Sequence, residues 1–153
     1  MENQISPTWG TALWSILHHC TERIGTIPLS DRQMEQNVWK QLLDYLKKSL
    51  PCIKCRTHYT MYYERKGPPE VKRESIRRWL YDLHSDVNVR LQKPNLPYEV
   101  LEEMYSAPFS FKENLDIIEQ QGKIALRLKW YTAHQLKQFL TYLKHLQHMY
   151  SLA

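Results

Sequence analysis

A chain of 153 residues with 42% hydrophobic and 24% charged residues carries enough apolar material for one folded domain, which sets disorder aside. No apolar run approaches the roughly 18 residues that span a bilayer, and Met1-Glu2-Asn3-Gln4 lacks the basic-then-apolar order of a secretory signal, so an intracellular protein without a membrane anchor is expected. The net charge of +5 comes from Arg and Lys spread along the chain, with only short clusters such as Lys72-Arg73 and Arg77-Arg78, so solvated helix faces explain it better than a nucleic-acid surface.

Helical periodicity recurs along the whole chain, while β-branched residues never alternate over a useful stretch, so the expected fold is all-α. A first helix is expected from near Pro7 to about Ile24, with Trp9, Leu13, Ile16 and Leu17 near one face and Trp14 and His18 beside it. The stretch around Gly25 to Leu29 breaks it. Ser30-Asp31-Arg32-Gln33 then reads as a capping box, in which Ser30 and Gln33 satisfy each other's orphan backbone donors. The helix it opens places Met34, Val38, Leu42 and Tyr45 on one stripe, with Trp39, Leu43, Leu46 and Leu50 adjoining, a pattern suited to burial on two sides.

Pro51 suits the entry to a third helix, which puts Cys52 in the first turn and runs to Arg65, where Lys66-Gly67-Pro68-Pro69 ends it. A fourth helix is expected over roughly Val71 to Gln92, with Ile76, Leu80, Leu83, Val87 and Leu91 as its inner stripe and His84 and Asn88 one turn apart beside it. A short fifth helix after Pro97 carries Leu101, Met104 and Tyr105. After Pro108 one or two further helices follow, the last with Leu136, Phe139, Leu140, Leu143, Leu146 and Tyr150 at helical spacing. The first five helices look complete as a bundle, so residues 1–108 read as the functional domain. Residues 109–153 read as a helical extension that packs across it or makes a subunit or partner contact.

Three cysteines cannot build a secreted disulfide scaffold, so the Cys52-Ile53-Lys54-Cys55 pair means redox chemistry or metal. A thiol attacks only as thiolate, and its pKa of ~8.5 falls to ~3.5–7.5 at a helix N-terminus or beside cations. Both conditions are expected here, from the first turn of the third helix and from Lys54, Arg56 and His58. Zinc competes: Cys52, Cys55, His58 and a fourth ligand such as His84 compose a Cys₂His₂ set, which would make the chain a non-enzymatic interaction module. No second Cys-x-x-Cys and no His pair at finger spacing supports it, and His145 and His148 are only an x₂ pair. Cys20, alone on the first helix, reads as a small buried hydrophobe, with an intermolecular disulfide as the sharper alternative.

Several of these features at their spacing resemble the Erv/ALR family of FAD-dependent sulfhydryl oxidases. The Trp and, one turn later, His of the family's first helix are matched in Trp9-Gly10-Thr11-Ala12-Leu13-Trp14-Ser15-Ile16-Leu17-His18. The Pro-Cys-x-x-Cys appears as Pro51-Cys52-Ile53-Lys54-Cys55, and the His-Asn-x-Val-Asn as His84-Ser85-Asp86-Val87-Asn88, followed by Leu91, Lys93 and Pro94. The form from Leu50 to His58 looks closest to the members encoded by large DNA viruses. The resemblance covers about residues 7–105.

The resemblance implies a four-helix bundle with a short fifth helix that holds FAD in its mouth, which fits the absence of a Gly-x-Gly-x-x-Gly phosphate cradle. It assigns Cys55 to the flavin side and Cys52 to the substrate side, with electrons passing through FAD to oxygen as hydrogen peroxide. It assigns cofactor contacts to Gly10, Trp14, His18, His84, Val87, Asn88, Leu91, Lys93 and Tyr105, and no metal. It further implies thiol-bearing substrate proteins or a thioredoxin-like relay as partners, a homodimer, no nucleic acid, and work in host cytoplasm at virus assembly sites or in the virion. Ser85 departs from the family's usual Asn, which puts one cofactor contact in doubt. With only Cys20 to spare, no internal shuttle pair is available.

Overall fold

The computed structural model describes residues 8–153, so Pro7, where the first helix was expected to begin, and Met1–Gln4 lie outside the described residues. Seven α-helices and no strand occur among those described: α1 Thr8–Thr21, α2 Arg32–Ser49, α3 Ile53–Lys66, α4 Arg73–Arg90, α5 Leu101–Ser106, α6 Phe111–Arg127 and α7 Ala133–Met149. None is long and apolar enough to cross a membrane. Single 3-10 turns, Leu29–Asp31 and Tyr98–Val100, lead into α2 and α5.

The core runs through the whole molecule. Ile16 and Leu17 of α1, Trp39, Leu42 and Leu46 of α2, Ile76 and Leu80 of α4, Phe111 and Ile118 of α6 and Phe139 and Leu143 of α7 are all but sealed from solvent and form one cluster. α1 packs against α4 and α5 on one side and α6 on the other, and α2 lies between α3 and α7. The first five helices therefore do not close a core by themselves, because α6 and α7 contribute the side chains that seal α1 and α2. At roughly 25 cal/mol for each Å² of apolar surface removed from water, such burial is the main stabilising term.

Two local expectations are corrected. Ser30 and Gln33 make no capping box. Pro28 (φ −57°, ψ 147°) starts the 3-10 turn, so Ser30 lies inside it and Asp31 stands at the N-cap without a side-chain bond. Capping occurs further on: Ser110 accepts from Glu113 N, and Thr132 and Gln135 form a complete box over the start of α7. On α2, Met34 is 47% exposed and Glu35, next to it, is 3% exposed. A buried carboxylate needs donors, and Glu35 has two, the Gly25 N–H at 3.2 Å and the Tyr150 hydroxyl at 2.5 Å. Tyr150 in turn accepts from the Trp39 indole N–H at 2.9 Å, so the end of α7 is tied to the first half of α2.

Two apolar positions also depart from the expected stripes. Leu91 follows the end of α4 and is 55% exposed, and Met104 of α5 is 47% exposed. Away from the cysteines, Arg77 holds Glu22 with two bonds of 2.8 and 2.7 Å, and Arg73 binds the Ile24 carbonyl, which fixes the end of α1 against the start of α4. Cys20 is fully buried and burial pushes its thiol up, so it packs as a small core residue.

Candidate active site

The redox pair sits where α2 hands over to α3. Leu50 is extended (φ −66°, ψ 134°), so Pro51 turns the chain and delivers Cys52 as the N-cap of α3 rather than inside its first turn. Cys52 and Cys55 form a disulfide, and Cys52 Sγ accepts the Cys55 N–H at 3.3 Å. The first turn of α3 has no acid, so the helix dipole acts unopposed on any thiolate formed there. Of the three cations expected to assist, only Lys54 extends freely into solvent. Arg56 donates to the carbonyls of Leu50 and Trp130 at 2.7 and 2.6 Å. His58 is held below its ordinary value by burial and Arg90, and its Nε2 lies 3.1 Å from Asp86.

A cavity of about 530 Å³ opens behind Cys55. Trp9, Gly10, Leu13 and Trp14 of α1 and Leu83, His84, Val87 and Asn88 of α4 line it. Leu46, Leu50, Cys55 and Tyr59 close its floor, while Arg90, Leu91, Lys93 and Tyr105 stand at its edge. Apart from His18, every residue expected to touch the cofactor therefore lines this one space. Cys52 does not line it. The disulfide thus has one cysteine lining the cavity and one that does not, both of them half-buried.

His18 stands behind the wall. It is 2% exposed, and its Nε2 lies 3.1 Å from His84 Nδ1. The His84 ring stacks on Trp14 at 4.0 Å and 6°, and His18 stacks on Tyr105 at 4.7 Å. Burial, with the neighbouring His84, lowers His18 to about 3, and burial, with Lys93, lowers His84 to about 4. Both rings are neutral near pH 7, so one donates to the other and His84 Nε2 is left for the cavity. His18 thus fixes the orientation of the His84 ring through this bond. Arg23 does the same for Tyr105, binding the Tyr105 carbonyl at 3.3 Å while its guanidinium covers Phe109.

The zinc set is not assembled, because Cys52 and Cys55 are joined to each other in the disulfide rather than free as thiolate ligands. Among the described residues, no group of three or more His, Cys, Asp or Glu is arranged to hold a metal ion. Ser85 points away from the cavity into a shallow groove with Asp82 and Asp86, so its departure from the family pattern removes no contact from this wall. Trp9, Tyr59 and Arg90 were not singled out beforehand as cavity residues. Trp9 had a signal in its place one turn before Leu13, and Arg90 in its closeness to Lys93. Tyr59 had none, since only the tertiary bond from its hydroxyl to Leu43 O fixes its ring against the floor.

The family model described as Erv1 / Alr family matches residues 11–106. The chain belongs to the Erv1/Alr family. Among curated relatives, a putative FAD-linked sulfhydryl oxidase of Invertebrate iridescent virus 3 is 32% identical over 104 residues, covering 66% of this chain and 68% of that protein. The FAD-linked sulfhydryl oxidase of African swine fever virus is 29% identical over 98 residues, 63% of this chain and 79% of the relative. The mitochondrial FAD-linked sulfhydryl oxidase ERV1 of Saccharomyces cerevisiae is 27% identical over 85 residues, 56% of this chain but 43% of its own length. No solved structure matches. The Erv1/Alr match ends at Ser106, so α6 and α7 lie beyond it.

Proposed function

We propose that this Erv1/Alr chain is an FAD-linked thiol oxidase that makes disulfides in thiol-bearing proteins and gives the electrons to oxygen. The observation that carries the proposal is the two-sided disulfide, with Cys55 in the wall of the aromatic cavity and Cys52 outside it. The residues present fit a flavin dinucleotide. Trp9, Trp14, His84 and Tyr105 offer ring faces, leucines and Val87 an apolar floor, and Arg90 and Lys93 two cations at the edge for phosphates. A methyl added at Gly10 would meet no atom of the described residues within 4 Å, so their packing does not require glycine there.

A substrate thiolate attacks Cys52 Sγ, the Cys52–Cys55 bond breaks, and Cys55 leaves as a thiolate facing the cavity. A second substrate thiolate then attacks the substrate sulfur of the mixed disulfide. This releases substrate disulfide and Cys52 thiolate, and the pair has gained two electrons. The helix N-terminus holds the negative charge at both stages. Bound FAD supplies the two-electron acceptor beside Cys55 and the route to oxygen, giving hydrogen peroxide. Since Cys20 is sealed, electrons enter directly at Cys52, from a substrate protein or a thioredoxin-like relay.

Homodimer formation, and service to virion proteins at cytoplasmic assembly sites, extend the same reading and draw on the viral relatives. The division into a catalytic unit up to residue 108 and a helical extension also stays a functional proposal, in which the extension serves the partner.

The test is a visible spectrum of the purified protein, before and after dithiothreitol without air. Flavin bands near ~450 nm should bleach and return with oxygen. Cys55→Ser should keep the bands and lose turnover. Protein that stays colourless with added FAD, or undiminished oxygen uptake in Cys55→Ser, would reject the assignment.

A further inference from the structure

Two stretches of the chain contain no acid: residues 45–63, around the redox pair, and residues 120–153, from the end of α6 through α7. They hold nine of the 21 lysines and arginines and none of the 16 acids, so the rest of the chain, with twelve cations, is net acidic. The fold brings the stretches together. Arg56 bridges Leu50 O and Trp130 O, and Gln135 Nε2 binds Lys48 O at 3.0 Å, so the α6–α7 turn rests on the peptide that enters Cys52. Of the acids that flank these stretches, Asp44 is engaged by Lys47 and Glu119 by Lys123, while Glu64 lies near the far end of α3 from the disulfide.

What faces solvent there is both cationic and apolar. Lys48, Lys54, Arg127 and Lys129 are exposed, Ile53 is 53% exposed and Leu128 36%. We propose that this face, built jointly by the redox turn and the α6–α7 turn, docks an acidic polypeptide segment that carries the substrate cysteine. The proposal rests on the thiol-oxidase reading and names its substrate class. The attacking species is a thiolate, so a positive field raises its local concentration and lowers its protonation as it nears Cys52. Acidic residues flanking that cysteine gain from the same field, and Ile53 and Leu128 give the segment apolar contact. The half-buried disulfide at the centre favours a cysteine-bearing protein over a nucleic acid, which brings no thiol.

The test uses the full chain with FAD bound and three synthetic dithiol peptides with one cysteine spacing, flanked by glutamate, by glycine and serine, or by lysine. At low salt, kcat/KM should rank acidic above neutral above basic, with about a tenfold span that collapses as salt screens the field. The triple variant Lys48→Gln, Arg127→Gln, Lys129→Gln should compress that span to about twofold and leave dithiothreitol turnover unchanged. A serine version of the acidic peptide should bind the unsubstituted protein more tightly than the triple variant by fluorescence anisotropy. Equal kcat/KM for the three peptides at low salt, with dithiothreitol still oxidised, overturns the docking inference alone. So does DNA binding at this face with no charge preference among peptides. Failure to oxidise dithiothreitol at all overturns the oxidase reading on which the inference rests.

Discussion

The cavity between α1 and α4 and the seam between α1–α2 and α6–α7 are both lined by large side chains, yet one stays open and the other is closed. In the seam, Phe111, Ile118, Phe139 and Leu143 lose all exposure, and beside it, between α6 and α7, Gly122 admits neighbours so close that an added Cβ would lie 2.5 Å from Leu136 Cδ1 and 2.8 Å from the Tyr131 hydroxyl. In the cavity, Trp9, Trp14 and Tyr105 keep part of their surface, half-buried His84 is neutral with the buried, neutral His18 behind it, and an added Cβ at Gly10 would meet no atom of the described residues within 4 Å. The seam turns its apolar residues into stability, whereas the cavity withholds them for a ligand. The Erv1/Alr match contains the cavity and stops before the helices that complete the seam.

The comparison breaks first on the seam itself. Phe139→Ala should cost about 3–5 kcal/mol, since a fully enclosed ring leaves a void its rigid neighbours cannot fill. Urea unfolding of the cofactor-free protein measures this, and a loss comparable to a surface substitution would show that α7 merely covers the bundle.

The two helical glycines sharpen the contrast. Gly122→Ala should cost about 1–3 kcal/mol through overpacking, while Gly10→Ala should be neutral or gain up to about 1 kcal/mol from helix propensity in the cofactor-free protein. The same Gly10→Ala protein should retain FAD less well, read by the flavin absorbance left after gel filtration. Equal stability of the two variants would remove the distinction between closed and open regions.

The cavity also has an acid signature. His18 and His84 titrate at about 3 and about 4 in the folded protein, below the ordinary 6.5 of the unfolded chain. Their contribution is complete above pH 6.5 and is lost as pH falls from there toward 4 and 3, because the unfolded chain takes up the protons first. Each can add a slope of up to about 1.4 kcal/mol per pH unit in that window. Unfolding midpoints at pH 7, 5.5 and 4.5 should fall accordingly, and the fall should be shallower in His18→Phe. An identical pH dependence in that variant would deny His18 its neutral buried role.

Much of the site was legible because its chemistry is written locally. Pro51 before Cys52 announces a helix start, and a helix start is what a thiolate wants. His84 and Asn88 lie one turn apart and face one wall, as their spacing says. The local signals that misled did so for tertiary reasons. Ser30 and Gln33 have capping-box spacing, but Pro28 sets a 3-10 turn through Ser30. Glu35 looks like a surface residue until Tyr150, 115 positions away, supplies its hydroxyl. His18, by contrast, keeps the spacing of a cofactor contact, and its bond to His84 joins it to a residue that lines the cavity.

The sequence by itself determined the first five helical segments in outline with one or two more after Pro108, the redox pair at a helix entry and the family, because these depend on neighbours within a turn or two. Tertiary structure alone decided that α6 and α7 complete the core, and that two acid-free stretches meet beside the disulfide. Those outcomes depend on which faces pack together across tens of residues. No periodicity or local propensity records that, and burial and charge acquire their meaning only once the packing is set.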